Sequence, residues 1–497
     1  MGEPALARPV GPRLRPDTGR VIARLFVPGE ELPEGASRGR AVIDRVLGLD
    51  DGDVAASMAD VTARFATRHR GLADILRTNF DIATHGRADL DGLRDDRRLL
   101  IGAYFTMEYA VESAAVCNPS MVAHPNQSGV ATGEVRFVMS LRAVGEGHRS
   151  SVEFRTGVVG PARTVTLDAP SPVLVAGTRR PVTYERDVFL ARLADLGSDV
   201  ETVDRVIGGL PARFDGTSLR QAVRALHPQL SNRLAGHLAI EQINRVAADE
   251  YEVTFPPDSS ISERLLWPYG ASESNGMEDV RLVRFTGDDG SVTYHGTYTA
   301  FDGEHIAPRL LATNDFATFT SGQLAGPAAR DKGMALFPRK VGGRYLALSR
   351  WDRENVSLGT SVDGRVWHRA GVLCPPREGW QLVQVGNCGS PIETEAGWLV
   401  LTHGVGPMRT YRIGAVLLDR ADPTRILAAL RDPLLSADAQ DRDGYVPNVV
   451  YSCGALRHGD ALIIPYGISD STIGFAWVEL PALLQRMRPT TFPNTPS

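Results

Sequence analysis

Glu278, Asp279 and Arg281 fall together in the segment SESNGMEDVRLVRF, two adjacent carboxylates with an arginine two residues on. Such charges are costly to pack unless a ligand or a reaction uses them, because neighbouring carboxylates resist ionising together. On an exposed loop the same trio would be a solvated cluster of little energetic weight. Comparable clusters recur along the chain: Asn118 with Ser120; Arg142, Glu146 and His148; Glu273; Lys332, Arg339 and Lys340; Arg350; Gln384 with Asn387; His403; Tyr411; Tyr445 with Asn448. Gathered in one concavity, carboxylates, cations, amides and aromatics suit a sugar: faces to stack on, partners for hydroxyls, and an acid for a glycosidic oxygen.

The elements that would gather them are short strands. The trio precedes a strand that turns at Gly287-Asp288-Asp289-Gly290, residues that accept positive φ, into the aromatic, Thr-rich strand YHGTYTAF. Similar turn-and-aromatic units follow Tyr294 at Tyr345, Trp398 and Ala461, at successive spacings of 51, 53 and 63 residues. A period of about 50 residues is the mark of β-propeller blades. With the strand region Val135 to Thr166 the units number five, so the reading is mainly β, a five-bladed β-propeller. A two-sheet sandwich is the alternative, since hairpins of this kind build both.

Two stretches break the strand pattern. Residues 39–115 read as a helical N-terminal unit, with RRLLIGAYFTMEYAVESAAV as its buried helix, and residues about 185–248 read as a helical insertion. Residues 1–38 read as an extended arm with one short strand at Val21 to Val27, and residues 116–490 as the propeller. The helical unit is expected to cover an apolar face on the propeller or on a second copy, which would make a homo-oligomer.

The chain has 497 residues, 43% hydrophobic and 23% charged, the composition of a globular protein larger than one small core. Its 54 Lys and Arg against 59 Asp and Glu give a net charge of -5, which makes no case for nucleic acid or an anionic membrane as partner. The four cysteines are far apart and form no CxxC pair, so no zinc site or disulfide framework is expected. No apolar run of about 18 residues occurs, and no apolar core follows the N-terminal charges as in a secretory signal. A cytoplasmic location is the expectation. No P-loop or dinucleotide fingerprint and no His/Cys metal spacing is present, so no metal or organic cofactor is expected.

The motifs NPSMVAHPNQSG, RFVMSLRAVGEGH, GMEDVRLV with GTYTAFDG, MALFPRK with LSR, and GSPIETEAGWLVLTHGV, taken in order, resemble glycoside hydrolase family 130, five-bladed propeller enzymes that cleave β-mannosides. The resemblance spans about residues 116 to 480 and implies an inverting reaction with one general acid. Asp279 of M-E-D-V-R matches the acid of the family's G-x-D-P-R motif, with Val280 in place of proline. Glu278 beside it is expected to keep it protonated. The family's phosphorylases hold phosphate with two arginines and a lysine, and the matching positions are Lys332, Arg350 and Gln384. His403 and Tyr411 match sugar- or phosphate-site positions, and Tyr445 replaces an acidic residue.

Two cations in place of three favour water as acceptor, hence a β-mannosidase, with phosphorolysis by inorganic phosphate as the alternative and a non-catalytic carbohydrate-binding propeller as the third reading. A hydrolase needs a second carboxylate as general base, and Glu273, Glu146 and Asp331 are the candidates. Asn118, Ser120, Arg142, His148, Arg281, Gln384, Asn387, His403, Tyr411 and Tyr445 are the expected sugar-binding residues. His124, Arg339, Lys340, Trp351 and Trp380 have plain surface or packing readings beside any role in binding.

Overall fold

The computed structural model describes residues 5–29, 37–84 and 87–490. The strands from residue 115 onward form five antiparallel blades, each running outward from an innermost strand. The first comprises Ala115–Ala123, Val135–Val144, Ser150–Gly160 and Thr164–Leu167. The second comprises Gly276–Thr286, Val292–Phe301, Ile306–Thr313 and Thr318–Gln323, widened by Tyr251–Thr254 and Thr178–Arg180. Ala335–Leu336, Tyr345–Ser349, Val356–Ser361 and His368–Cys374 make the third. Gln384–Asn387, Gly397–Val405, Tyr411–Leu418 and Ile426–Ala429 make the fourth. The chain is thus mainly β, a five-bladed propeller.

The fifth blade corrects the reading of the N-terminus. Its strands Val450–Tyr451, Ala461–Ile468 and Thr472–Glu479 are completed on the outside by Ala7–Leu14, not by a C-terminal strand. The expected arm of residues 1–38 is therefore divided: residues 1–4 and 30–36 lie outside the described residues, Ala7–Leu14 closes the last blade, and Val21–Leu25 pairs with Thr106–Ala110. The physical reason is apolar packing. Ala7 is buried against Leu462, Ile464 and Val478, and Val10 and Leu14 pack beside Phe475 and Trp477.

The chain divides into two compact units, the smaller holding residues 17–113 and 171–176. Its helices Arg38–Leu47, Asp51–Phe65, Leu72–Thr84 and Asp95–Tyr104 enclose Ile43, Val46, Val54, Phe80, Leu100, Ile101 and Phe105. Asp50 caps the second of these by accepting from the Asp53 amide at 2.8 Å. The single buried helix expected over RRLLIGAYFTMEYAVESAAV stops at Tyr104 and gives way to the strand Thr106–Ala110. There the alternation Thr-Met-Glu-Tyr finds a partner strand, and tertiary pairing overrides helical propensity.

Within the larger unit, five helices between Arg186 and Ala248 form the insertion ahead of the second blade. They surround Tyr184, Phe189 and Phe214, whose rings lie 5.3 to 5.6 Å apart. Each such pair adds about 0.5–1.5 kcal/mol beyond area burial.

Candidate active site

The innermost strands of the first two blades are bulged where they enter the propeller. Pairing slips between Cys117 and Ser120 in one and between Glu278 and Arg281 in the other. At the slips Asn118 and Asp279 take left-handed conformations, φ 50 and 57. Such backbone costs a non-glycine residue on the order of 1–3 kcal/mol and persists only where its surroundings enforce it. Both side chains thereby turn into a pocket of about 180 Å³, where the Asn118 amide donates to the Asp279 carboxylate.

All five blades contribute to this pocket. Arg142 comes from the first blade, Glu278 and Asp279 from the second, Lys332 and Arg350 from the third, Gln384, His403, Arg409 and Tyr411 from the fourth, and Tyr451 and Asp470 from the fifth. Arg409 and Asp470 are also left-handed, at φ 54 and 48, so four of the lining residues sit on strained backbone.

The charges are arranged in pairs. Arg142 donates to Glu278 at 2.6 Å. Arg281 lies behind the pocket wall, donating to the Asp279 carbonyl at 2.9 Å, the Tyr451 hydroxyl at 2.8 Å and the Cys388 carbonyl at 3.0 Å, and 4.0 Å from the Asp279 carboxylate. Burial pushes Asp279 up, but the Arg281 and Arg142 guanidiniums, the Lys332 ammonium and the Asn118 amide outweigh it, so its carboxyl lies below the ordinary value. This corrects the expectation that Glu278 keeps Asp279 protonated, since the Glu278 charge is neutralised by Arg142. The raised carboxyl is that of Asp470, pushed to about 6 by burial and by Asp279, against Arg142 and Arg409. Burial and the Arg350 guanidinium hold His403 well below its ordinary value, and Arg350 Nη1 approaches its Nε2 at 3.2 Å, the bond a neutral imidazole accepts.

Among the sequence candidates, Asn118, Arg142, Glu278, Asp279, Lys332, Arg350, Gln384, His403 and Tyr411 meet in this one pocket. Others do not. Ser120 is fully buried and accepts from the Leu282 amide at 3.0 Å, so it stitches two blades together and is not a sugar ligand. Asn387 is buried and donates to the Gly333 carbonyl at 2.9 Å. Glu273, proposed as catalytic, has no exposed surface and accepts from the Tyr251 and Tyr298 hydroxyls and the Tyr269 and Gly270 amides, which leaves it no access to substrate. Glu146 is exposed, and Asp331 pairs with Arg353 at 3.3 Å beside Lys332. His148 and Tyr445 are exposed and bonded to each other at 2.6 Å, outside the pocket lining. Arg339 pairs with Glu393 at 2.6 Å and Lys340 with Asp288 at 2.9 Å. The Trp380 ring fills the space over Gly404 and Gly414, where a Cβ would come within 2.7 Å of it.

Arg409, Tyr451 and Asp470 were not found by sequence reasoning. Arg409 ends a Pro-Met-Arg turn and Asp470 the Ser-Asp turn of the last hairpin, so a count of hairpin tips would have reached both. Among the described residues no group of three or more His, Cys, Asp and Glu is placed to hold a metal ion.

Residues 258–488 match the sequence pattern of the beta-1,4-mannooligosaccharide phosphorylase family. The chain is 31% identical over 212 residues to a 1,2-beta-oligomannan phosphorylase of Thermoanaerobacter sp. (strain X514), covering 42% of this chain and 70% of that one. It is 32% identical over 231 residues to a beta-1,2-mannobiose phosphorylase of Listeria innocua, covering 45% and 63%. The solved structure of a Listeria innocua beta-1,2-mannobiose phosphorylase in complex with beta-1,2-mannobiose superposes with a TM-score of 0.42 at 21% identity, over 76% of this chain and 98% of that one.

Proposed function

Because this chain belongs to glycoside hydrolase family 130, and is therefore an enzyme acting on β-mannosides, we propose that it cleaves them by phosphorolysis, with inorganic phosphate as co-substrate. The observation that carries this is the set of three cations, Lys332, Arg350 and Arg409, lining the same small pocket as Asp279. The expectation of water as acceptor rested on counting two cations, with Gln384 in place of a third. Arg409, reaching the pocket from the next turn of the same blade, restores the count and brings a planar guanidinium suited to phosphate. The relatives named as phosphorylases support the same choice.

In this reading a phosphate oxygen attacks the anomeric carbon of the terminal mannosyl unit from the face opposite the leaving oxygen. The bond from that carbon to the glycosidic oxygen breaks, and a proton from Asp279, passed directly or through a sugar hydroxyl, goes to the departing oxygen. The products are α-mannose 1-phosphate and a saccharide one unit shorter. Phosphate beside Lys332 offsets part of the positive charge that holds the Asp279 pKa down, so anion binding raises this residue's affinity for the proton it must deliver. His403, kept neutral, donates or accepts a hydrogen bond beside the anion without adding charge. A cytoplasmic setting fits a product that carries an ionised phosphate.

Product analysis tests this. Purified protein incubated with short β-mannosides releases mannose 1-phosphate at a rate that rises with phosphate and falls to background without it. Free mannose released at a rate indifferent to phosphate would instead mark a hydrolase.

A further inference from the structure

A second cavity, of about 540 Å³, lies between the helical insertion and the second and third blades. Its walls come from the helices Arg186–Asp195 and Leu234–Ala248, the start of the strand Ile306–Thr313, and the loop at 329–331. That loop runs from it toward the catalytic pocket: Asp331 lines the outer cavity and the next residue, Lys332, lines the inner one.

Two observations point to a ligand. Arg330, which is exposed, and Arg192, which is partly exposed and drawn electrostatically to Asp195 and Asp249, make no hydrogen bond or ion pair among the described residues, so their guanidiniums are solvated donors that can turn to a ligand. Asp331, held at φ 60, has a buried carboxylate oxygen, Oδ2, without a partner. A buried acceptor without a partner is costly unless something satisfies it, and the two solvated arginines beside it can turn to the same ligand. The lining is balanced, with Arg192, Arg245 and Arg330 against Asp195, Asp249 and Asp331, which favours a neutral, hydroxyl-rich ligand over an anion. Leu196, Val246 and Pro308 give that ligand's C–H faces an apolar wall. The volume falls within the roughly 300–1,000 Å³ of small-molecule sites, whereas the axial pocket, at about 180 Å³, lies below it, so the rest of a longer substrate must lie outside the inner pocket.

We propose that this outer cavity is a carbohydrate subsite that binds the distal units of an oligomannoside whose terminal unit occupies the axial pocket, with Arg192, Arg330 and Asp331 as its hydroxyl partners. The inference rests on the β-mannoside reading above and adds a preference for chains longer than a disaccharide.

The test compares β-1,2- and β-1,4-linked mannobiose and mannotetraose as substrates for the wild-type protein and for Arg192→Ala and Arg330→Ala. Loss of a charged hydrogen bond raises KM for the tetrasaccharide about tenfold in each variant and leaves KM for the disaccharide within about twofold. Equal effects on both lengths, or none, overturn the subsite. Calorimetry with mannotetraose on Asp279→Asn protein, with and without the arginine substitutions, supplies a readout independent of turnover. Binding that weakens with the arginine changes upholds the subsite even if no mannoside is cleaved, in which case the reaction assignment alone falls. Binding indifferent to them, or displaced by inorganic phosphate, overturns it.

Discussion

Asp470 and Ser469 occupy consecutive left-handed positions, φ 48 each, in the turn that ends the last hairpin. The side chain of Asp470 reaches the cluster of Arg142, Asp279 and Arg409, and its pKa rises to about 6 from 3.8. The native state therefore binds a proton there that the unfolded chain gives up between pH about 4 and 6, and stability falls as pH rises through that window. Asp470→Asn removes this cost and stabilises the protein by about 1–3 kcal/mol at pH 7.5, with little effect at pH 4. Urea unfolding at the two pH values checks it; an equal gain at both would show that the charge is not the cause. Arg409 makes a sharper functional prediction. If the proposed phosphorolysis holds, Arg409→Gln removes a charged partner of the anion and raises KM for phosphate about tenfold or more, with a smaller change in KM for the mannoside. Steady-state kinetics with each substrate varied in turn measures both, and an unchanged phosphate KM removes Arg409 from the anion site.

The bulged inner strands turn these side chains inward, and Ser120 fixes where two of the bulges meet. Its hydroxyl accepts from the Leu282 amide at 3.0 Å, it bridges Gly454, and the Cys453 amide donates to the Pro119 carbonyl at 2.8 Å, so one short segment joins blades one, two and five. Ser120→Ala leaves the buried Leu282 amide without its acceptor and lowers stability by about 1–3 kcal/mol. Thermal unfolding measures the loss, and a variant as stable as wild type with weakened mannoside binding would restore Ser120 as a sugar ligand. The hairpins themselves were legible in the sequence because each unit carries its own signal: alternating aromatics, a Gly/Asp turn, a polar cluster at the tip. Glu273 was misread for the same reason. A carboxylate near a tip looks like Asp279 on paper, and only the convergence of two tyrosine hydroxyls and two backbone amides on it reveals a buried anchor. Arg409 and Asp470 escaped because their turns are short and carry little of the Gly pattern.

At the scale of the whole propeller the deciding pairing is the least local one. Ala7–Leu14 pairs with Thr472–Glu479, more than 460 residues away, through Ala7 with Val478 and Val10 with Phe475. Nothing in the spacing of residues 7–14 marks a partner at the opposite end of the chain, and a Pro- and Arg-rich segment reads naturally as an arm. Yet this strand lies over two apolar clusters, Ala7 on the one containing Leu462 and Val478, Val10 and Leu14 on the one containing Phe475 and Trp477. Removing residues 1–16 bares the edge of Thr472–Glu479 and the apolar surface beneath it. Each apolar side chain lost contributes about 1.5–3 kcal/mol when fully buried. Ala7 is small and Val10 and Leu14 are half-buried, so the loss is a fraction of that figure for each and the midpoint falls by several degrees. The loss reaches the active site, because Thr472–Glu479 is the strand that follows Asp470 in the last hairpin. Activity of the truncated protein on β-mannosides therefore declines at temperatures below its unfolding midpoint, as the hairpin tip loosens before the fold fails. Parallel measurement of melting and of initial rate between 20 and 40 °C tests this. A truncated protein with an unchanged midpoint and full activity would show that the first strand decorates the blade and does not close it.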